Sequence, residues 1–128
     1  IDLLPMAPIA GVTFVQADFR EDDGLAQLEK ALDGRKADLV VSDLSPNLSG
    51  VEAADQARSV HLGELALAFC QAWLQPGGDL VVKAFQGEGF ADFRHAMEAQ
   101  FAKVYVRKPQ ASRDRSREVY VVAKGLKT

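Results

Sequence analysis

The apolar positions along this chain alternate between short continuous runs and stretches at helical spacing. Val12 to Ala17 is rich in β-branched and aromatic side chains, ends at Asp18 and predicts a strand. Leu25, Leu28 and Leu32 then mark one helical face, with Asp22 or Asp23 as the candidate cap and Gly34 as the stop. Ala37 to Asp43 is a mostly apolar run closing on a polar loop, the pattern of a strand covered on both faces. Leu44 to Gly50 is rich in turn formers. From about Ser59 to Leu74 the stripe of Leu62, Leu65, Leu67, Phe69, Cys70 and Trp73 predicts a helix, and Gln75-Pro76-Gly77-Gly78 stops it. Asp79 to Phe85 is another strand and Gln86 to Gly89 a loop. Phe90 to Phe101 is an amphipathic helix built on Phe93, Met97 and Phe101. Val104 to Arg107 and Glu118 to Lys124 are the last strands, on either side of a basic loop from Lys108 to Arg117.

Strands alternating with helices over short loops predict an α/β fold, a mostly parallel sheet with helices on both faces. The last two strands are separated by a loop alone and predict an antiparallel C-terminal hairpin. No repeat or linker divides residues 1–128, which read as one domain. The beginning departs from the pattern. Open α/β sheets carry a glycine-rich turn after their first strand, yet the only glycine before Gly24 is Gly11. Ile1 to Met6 has the form of a strand's last residues entering a loop, so the expectation is a fold lacking its N-terminal portion.

Composition narrows the class. With 48% hydrophobic and 26% charged residues, the chain matches a soluble globular protein and not a disordered or low-complexity one. No apolar run approaches the roughly 20 residues of a membrane helix, and Ile1 to Ala10 lacks the basic start of a signal peptide. The lone Cys70 excludes an internal disulfide or a cysteine-based zinc module, which fits a reducing, cytoplasmic setting with no metal. The net charge of −3 is uneven: from Lys103 onward there are eight basic residues against two acidic, and before it seven against 16. A basic end on an acidic body is either a surface for a polyanion or a solvated mixed-charge tail.

In parallel α/β sheets, sites form at the carboxyl ends of the strands. Asp2, Asp18, Asp43 and Lys83 lie at or near such ends. For Asp2 or Asp18 alone, a first solvated residue is the simpler reading. Lys83 interrupts the apolar Leu80-Val81-Val82-Lys83-Ala84-Phe85 and is either paired with a carboxylate or functional. Glu118 opens the last strand directly after Arg113, Arg115 and Arg117. Two carboxylates and an amine from distant strands could position a hydroxyl and take its proton. Cys70 and Trp73 read as core, His61 and His95 as surface residues. Ser45 and Ser49 lack a nucleophile elbow or a triad histidine.

Three strings, Val41-Ser-Asp-Leu-Ser-Pro-Asn-Leu-Ser-Gly50, Val81-Val-Lys-Ala-Phe-Gln-Gly-Glu-Gly-Phe90 and Arg107-Lys-Pro-Gln-Ala-Ser-Arg-Asp-Arg-Ser-Arg-Glu-Val-Tyr120, closely resemble the FtsJ/RlmE family of ribosomal RNA 2′-O-methyltransferases. Asp2-Leu-Leu-Pro-Met6 and Asp18-Phe-Arg20 are similar to the same family, so the likeness runs over nearly the whole chain. It implies a Rossmann-like, S-adenosylmethionine (SAM)-dependent methyltransferase sheet, N-terminally truncated, and 2′-O-methylation of a uridine ribose in large-subunit rRNA through a Lys-Asp-Lys-Glu tetrad. By that resemblance Asp43, Lys83 and Glu118 are tetrad members. The first lysine and the glycine-rich loop precede Ile1. Asp2 matches the carboxylate for the SAM ribose, Asp18 and Phe19 the adenine contacts, and Asp43 also borders the methionine part. Lys83 is the expected base, and Lys103, Arg107, Lys108, Arg113, Arg115 and Arg117 are the expected contacts to rRNA phosphates. A tRNA methyltransferase of the same family and a non-catalytic RNA-binding module are the alternatives. Without a first strand, the 128 residues are expected to bind SAM weakly or not at all, and to self-associate or exchange elements to cover an open sheet edge.

Overall fold

The computed structural model describes residues 1–46, 48–108 and 117–128, and contacts divide them into two units, Ile1–Lys36 and Ala37–Thr128. In the first, α1 (Asp22–Leu32) carries Asp22 and Asp23 in its first turn and Lys30 in its last, each complementing the helix dipole. It ends on Asp33, which adopts the left-handed conformation. The expected strand over Val12 to Ala17 is reduced to one parallel bridge, Asp2 to Gln16. The Asp2 N–H donates to Val15 O at 3.1 Å and the Ala17 N–H to Asp2 O at 3.0 Å. A strand is only as long as the neighbour that completes its ladder, and here that neighbour is a single residue.

The second unit runs β1 (Ala37–Ser42), α2 (Glu52–Trp73), β2 (Leu74–Phe85), α3 (Phe90–Gln100), β3 (Phe101–Arg107) and β4 (Glu118–Leu126). The sheet order is β1-β2-β4-β3. The expected C-terminal hairpin is present, with β4 inserted between β2 and β3 and antiparallel to both. Only β1 and β2 pair in parallel, so the four-stranded sheet is mixed where a mostly parallel one was expected.

Two boundaries differ from the sequence pattern. Helix α2 begins at Glu52 rather than near Ser59, because Glu52-Ala-Ala-Asp-Gln-Ala-Arg58 has strong helix formers but no leucine stripe. Strand β2 begins at Leu74, before the Pro76-Gly77-Gly78 stop. Ala37 pairs with Leu74 and Leu39 with Asp79, so the intervening residues bulge out of the ladder.

Both connections, β1 to β2 through α2 and β2 to β3 through α3, advance in the same direction across the sheet. Right-handed crossovers therefore place both helices on one face. Leu80, Val82, Ala84, Val121 and Ala123 of that face pack with Ala66, Leu67 and Cys70 of α2 and Phe93 and Met97 of α3. The helices approach closely at Gly63, where a Cβ would come within 2.8 Å of the Phe93 ring. Burial pushes the Cys70 thiol up to about 12, the behaviour of an inert core residue. On the opposite face of the sheet Val81 and Val122 are half-buried, and Leu39 and Val41 of β1 and Tyr105 of β3 are exposed.

Candidate active site

The carboxyl ends of β1 and β2 and the start of β4 meet at one rim of the second unit. Alternation along β2 turns Lys83 away from the core face that Val82 and Ala84 occupy. Lys83 pairs across the sheet with Tyr120, and Phe85 with Glu118. Asp43 follows β1. Its Oδ1 lies 3.1 Å from Lys83 Nζ and accepts the Tyr120 hydroxyl at 2.8 Å. The Lys83 side chain is 17% exposed and that of Asp43 61%, so the amine is set into the sheet and the carboxylate faces outward.

The electrostatics follow. Desolvation pushes the Asp43 carboxyl up, but the Tyr120 hydroxyl and the Lys83 ammonium outweigh it and hold it below the usual carboxylate value. Desolvation also pulls Lys83 down. The bond and charge of Asp43, with the charge of Glu118, outweigh that and leave the ammonium above its ordinary value. Tyr120 is raised, first by the hydrogen bond it donates to Asp43 and then by burial. Asp43 and Glu118, remote from Lys83 and from each other in sequence, thus both act on Lys83 at a single rim.

Asp2 and Asp18 belong to the first unit. Asp2 is exposed, and its Oδ1 accepts the Leu4 N–H at 3.0 Å. Arg20 occupies Asp18 from two sides, Nε to Oδ1 at 3.0 Å and Nη2 to Oδ2 at 2.7 Å, and its hydrogen bonds lower the Asp18 pKa. Phe19 beside them is half-buried.

The expected phosphate contacts separate. Arg107 and Lys108 sit where β3 reaches the rim; Arg107 pairs across from Tyr120 and lies 5.0 Å over the Tyr105 ring. Lys103 is four residues back along the same strand, roughly 13 Å away, opposite Lys124. Arg117 is held by Glu52, 3.2 Å from its Nη1, and by Gln56. Arg113 and Arg115 lie outside the described residues.

Sequence reasoning missed Tyr120 and a buried polar group on α2. Counting by two from Glu118 along β4 puts Tyr120 on the Lys83 face, so that signal was available. Asp55 and Ser59 continue the Leu62 stripe backward by seven and three residues, a signal hidden once the helix start was placed too late. Asp55 accepts the Ser49 N–H at 2.9 Å and the Ser49 hydroxyl at 2.8 Å, which fixes the loop after β1 and lowers the carboxyl pKa. Ser59 Oγ accepts the Phe85 N–H at 3.1 Å. The Gln56 amide donates to Phe85 O at 2.7 Å and Glu88 O at 3.2 Å. Gly87, at φ 152°, lets that amide in, since a Cβ there would lie 2.8 Å from it.

A family model described as FtsJ-like methyltransferase matches residues 1–126. A protein named ribosomal RNA large subunit methyltransferase E from Azoarcus sp. is 58% identical over 127 residues, covering 99% of this chain and 62% of that relative. The protein of the same name from Nitrosomonas eutropha is 56% identical over 122 residues, covering 95% of this chain and 59% of its own length. The chain therefore spans about three-fifths of the curated relatives it matches. A solved ribosomal RNA methyltransferase from Plasmodium falciparum superposes with a TM-score of 0.81 at 25% identity, covering 97% of this chain and 69% of that one.

Proposed function

The chain belongs to the FtsJ-like methyltransferase family, and from that premise we propose that it carries the catalytic rim of a SAM-dependent enzyme that methylates the ribose 2′-hydroxyl of a uridine in large-subunit rRNA. The relatives' names support the rRNA substrate. The observation that carries the chemistry is the Asp43–Lys83 contact of 3.1 Å, with Tyr120 on the same carboxylate.

A ribose hydroxyl is a poor nucleophile until it loses its proton, and an amine recessed in a sheet beside a carboxylate can take that proton. Lys83 is the base in this reading. Asp43 aims its amine and Tyr120 holds Asp43; Glu118 completes the acidic surround. Because these groups leave the ammonium above its ordinary value, turnover rises with pH until Lys83 is neutral. A second cation beside it, the family's first lysine, pulls that pKa back down.

The residues present fit the cofactor unevenly. Asp2, exposed with one oxygen engaged by its own turn, suits the hydroxyls of a ribose. Phe19 offers a ring for adenine. Asp18 suits the role less well while Arg20 holds both its oxygens. When bound, SAM supplies an electrophilic methyl on sulfur, and the protein's task is then largely alignment of the ribose oxygen with it. Arg107 and Lys108 at the rim are the phosphate contacts. The setting is cytoplasmic, in keeping with the absence, among the described residues, of any helix long and apolar enough to cross a membrane.

Tritiated-methyl transfer from SAM to large-subunit particles, with free tRNA in parallel, tests this in the full-length protein. Lys83→Ala is expected to lose about 10²- to 10⁴-fold in turnover while SAM affinity stays at the wild-type value. Full activity in that variant, or transfer to tRNA alone, contradicts the proposal.

A further inference from the structure

Beside the rim lies a cavity of about 520 Å³, a size that accepts a small organic ligand. Leu48, Glu52, Asp55, Phe85, Arg117 and Glu118 line it. Its main wall is a cation–aromatic pair: the Arg117 guanidinium lies over the Phe85 ring, 5.6 Å from the centroid. The guanidinium is also fixed at its edge. Nη1 stands 3.2 Å from Glu52 Oε1 and donates to Gln56 Oε1 at 3.1 Å. Gln56 is 3% exposed and is itself tied to two backbone carbonyls. Arg117 is therefore a braced plane and not a swinging point charge.

Charge decides what such a plane receives. Among the described residues, three carboxylates, Glu52, Asp55 and Glu118, share the cavity with one guanidinium, a surround that repels phosphate. An uncharged π-system suits it instead, since RNA bases stack on arginine planes and aromatic rings. We propose that this cavity seats the nucleobase of the nucleotide being methylated, stacked on the Arg117–Phe85 pair with Leu48 at its side. This rests on the function proposed above. Phe85 and Glu118, which line the cavity, pair with each other two residues along the ladder from the Lys83–Tyr120 pair, so a base seated here brings its own sugar to the amine. Arg117 is then a specificity-determining residue for the base and leaves the phosphates to Arg107 and Lys108. Gln56 and Glu52 are positioning residues that hold its plane.

The test uses the full-length protein, with methyl transfer measured against the concentration of large-subunit particles at several salt concentrations and SAM affinity measured separately by calorimetry. Arg117→Ala is expected to raise the KM for particles roughly 5- to 100-fold, leaving SAM affinity and the salt slope of particle binding unchanged. Arg117→Lys does not restore KM, because an ammonium cannot replace a stacking plane. Leu48→Ala raises KM by a smaller factor. Leu48 is 69% exposed, so that variant decides the matter if Arg117→Ala fails to fold. Recovery of KM by lysine, or a salt slope reduced by about one in Arg117→Ala, makes Arg117 a phosphate contact and overturns the proposal. Wild-type KM in a folded Arg117→Ala overturns it too, as does wild-type KM in Leu48→Ala where Arg117→Ala fails to fold. Failure of the underlying function shows differently: the wild-type protein itself transfers no methyl to the particles.

Discussion

The two faces of β2 and β4 divide their labour residue by residue. Leu80, Val82 and Ala84, with Val119, Val121 and Ala123, are buried on one face. Between them, pointing the other way, are Val81, Lys83 and Phe85, with Glu118, Tyr120 and Val122. The pleat thus divides twelve neighbouring positions between the core and the site, with Phe85 alone among the outward six also buried. The difference teaches that stability and chemistry here separate by face: even positions of β2 and odd positions of β4 serve the core, and the positions between them face the other way.

Variants can break that rule or sharpen it. The largest effect is the turnover loss in Lys83→Ala, which should come with little change in melting temperature, because its partner Asp43 is mostly solvated. Next is Leu80→Ala on the core face, expected to cost about 2–5 kcal/mol in a denaturant titration of the folded protein, while the fraction that stays folded keeps its specific activity. Tyr120→Phe comes third. It removes only the hydroxyl that holds Asp43, and the expected loss is about 1 kcal/mol, roughly fivefold in kcat, without a matching loss of stability. Lys124→Ala is the smallest. Its ion pair with Asp79, at 2.7 Å, lies at the far end of the sheet and is partly exposed, so below about 1 kcal/mol of stability and none of the activity should depend on it. A large stability loss in Tyr120→Phe breaks the division between the faces; an activity loss in Lys124→Ala, on the Lys83 face but at the far end of the sheet, breaks the confinement of the chemistry to the rim.

Much of this was legible in the sequence where the signal is local. The leucines of α1 and the Phe93–Met97 stripe of α3 declared their helices to within a few residues, and the loop between the last strands declared a hairpin. Pairing partners were not legible, since nothing in the residues of β4 states that it inserts next to β2. Nor did the residues of Val12 to Ala17 reveal that their ladder would shrink to the single bridge of Gln16 with Asp2. At the site, the interruption of an apolar run singled out Lys83, and its contact with Asp43 is as close as a paired lysine requires. Arg117 was legible only as charge: among other basic residues it reads as a phosphate contact, and its surroundings of Glu52, Gln56 and Phe85 come from the fold. Gln56 carried no signal, because a glutamine on a helix is ordinary until its amide is seen binding two carbonyls.

The central claim is that Lys83 takes the ribose proton, and the pH dependence of single-turnover methyl transfer by the full-length protein tests it most directly. Asp43 and Glu118 raise the Lys83 pKa, so the reactive neutral amine is the minor form at neutral pH and grows tenfold per pH unit. The expected result is a logarithmic rate climbing with unit slope from about pH 6 upward and levelling where Lys83 titrates. The residual rate of Lys83→Ala should lack that limb. A wild-type rate that is flat from about pH 6 to about pH 9 contradicts the account.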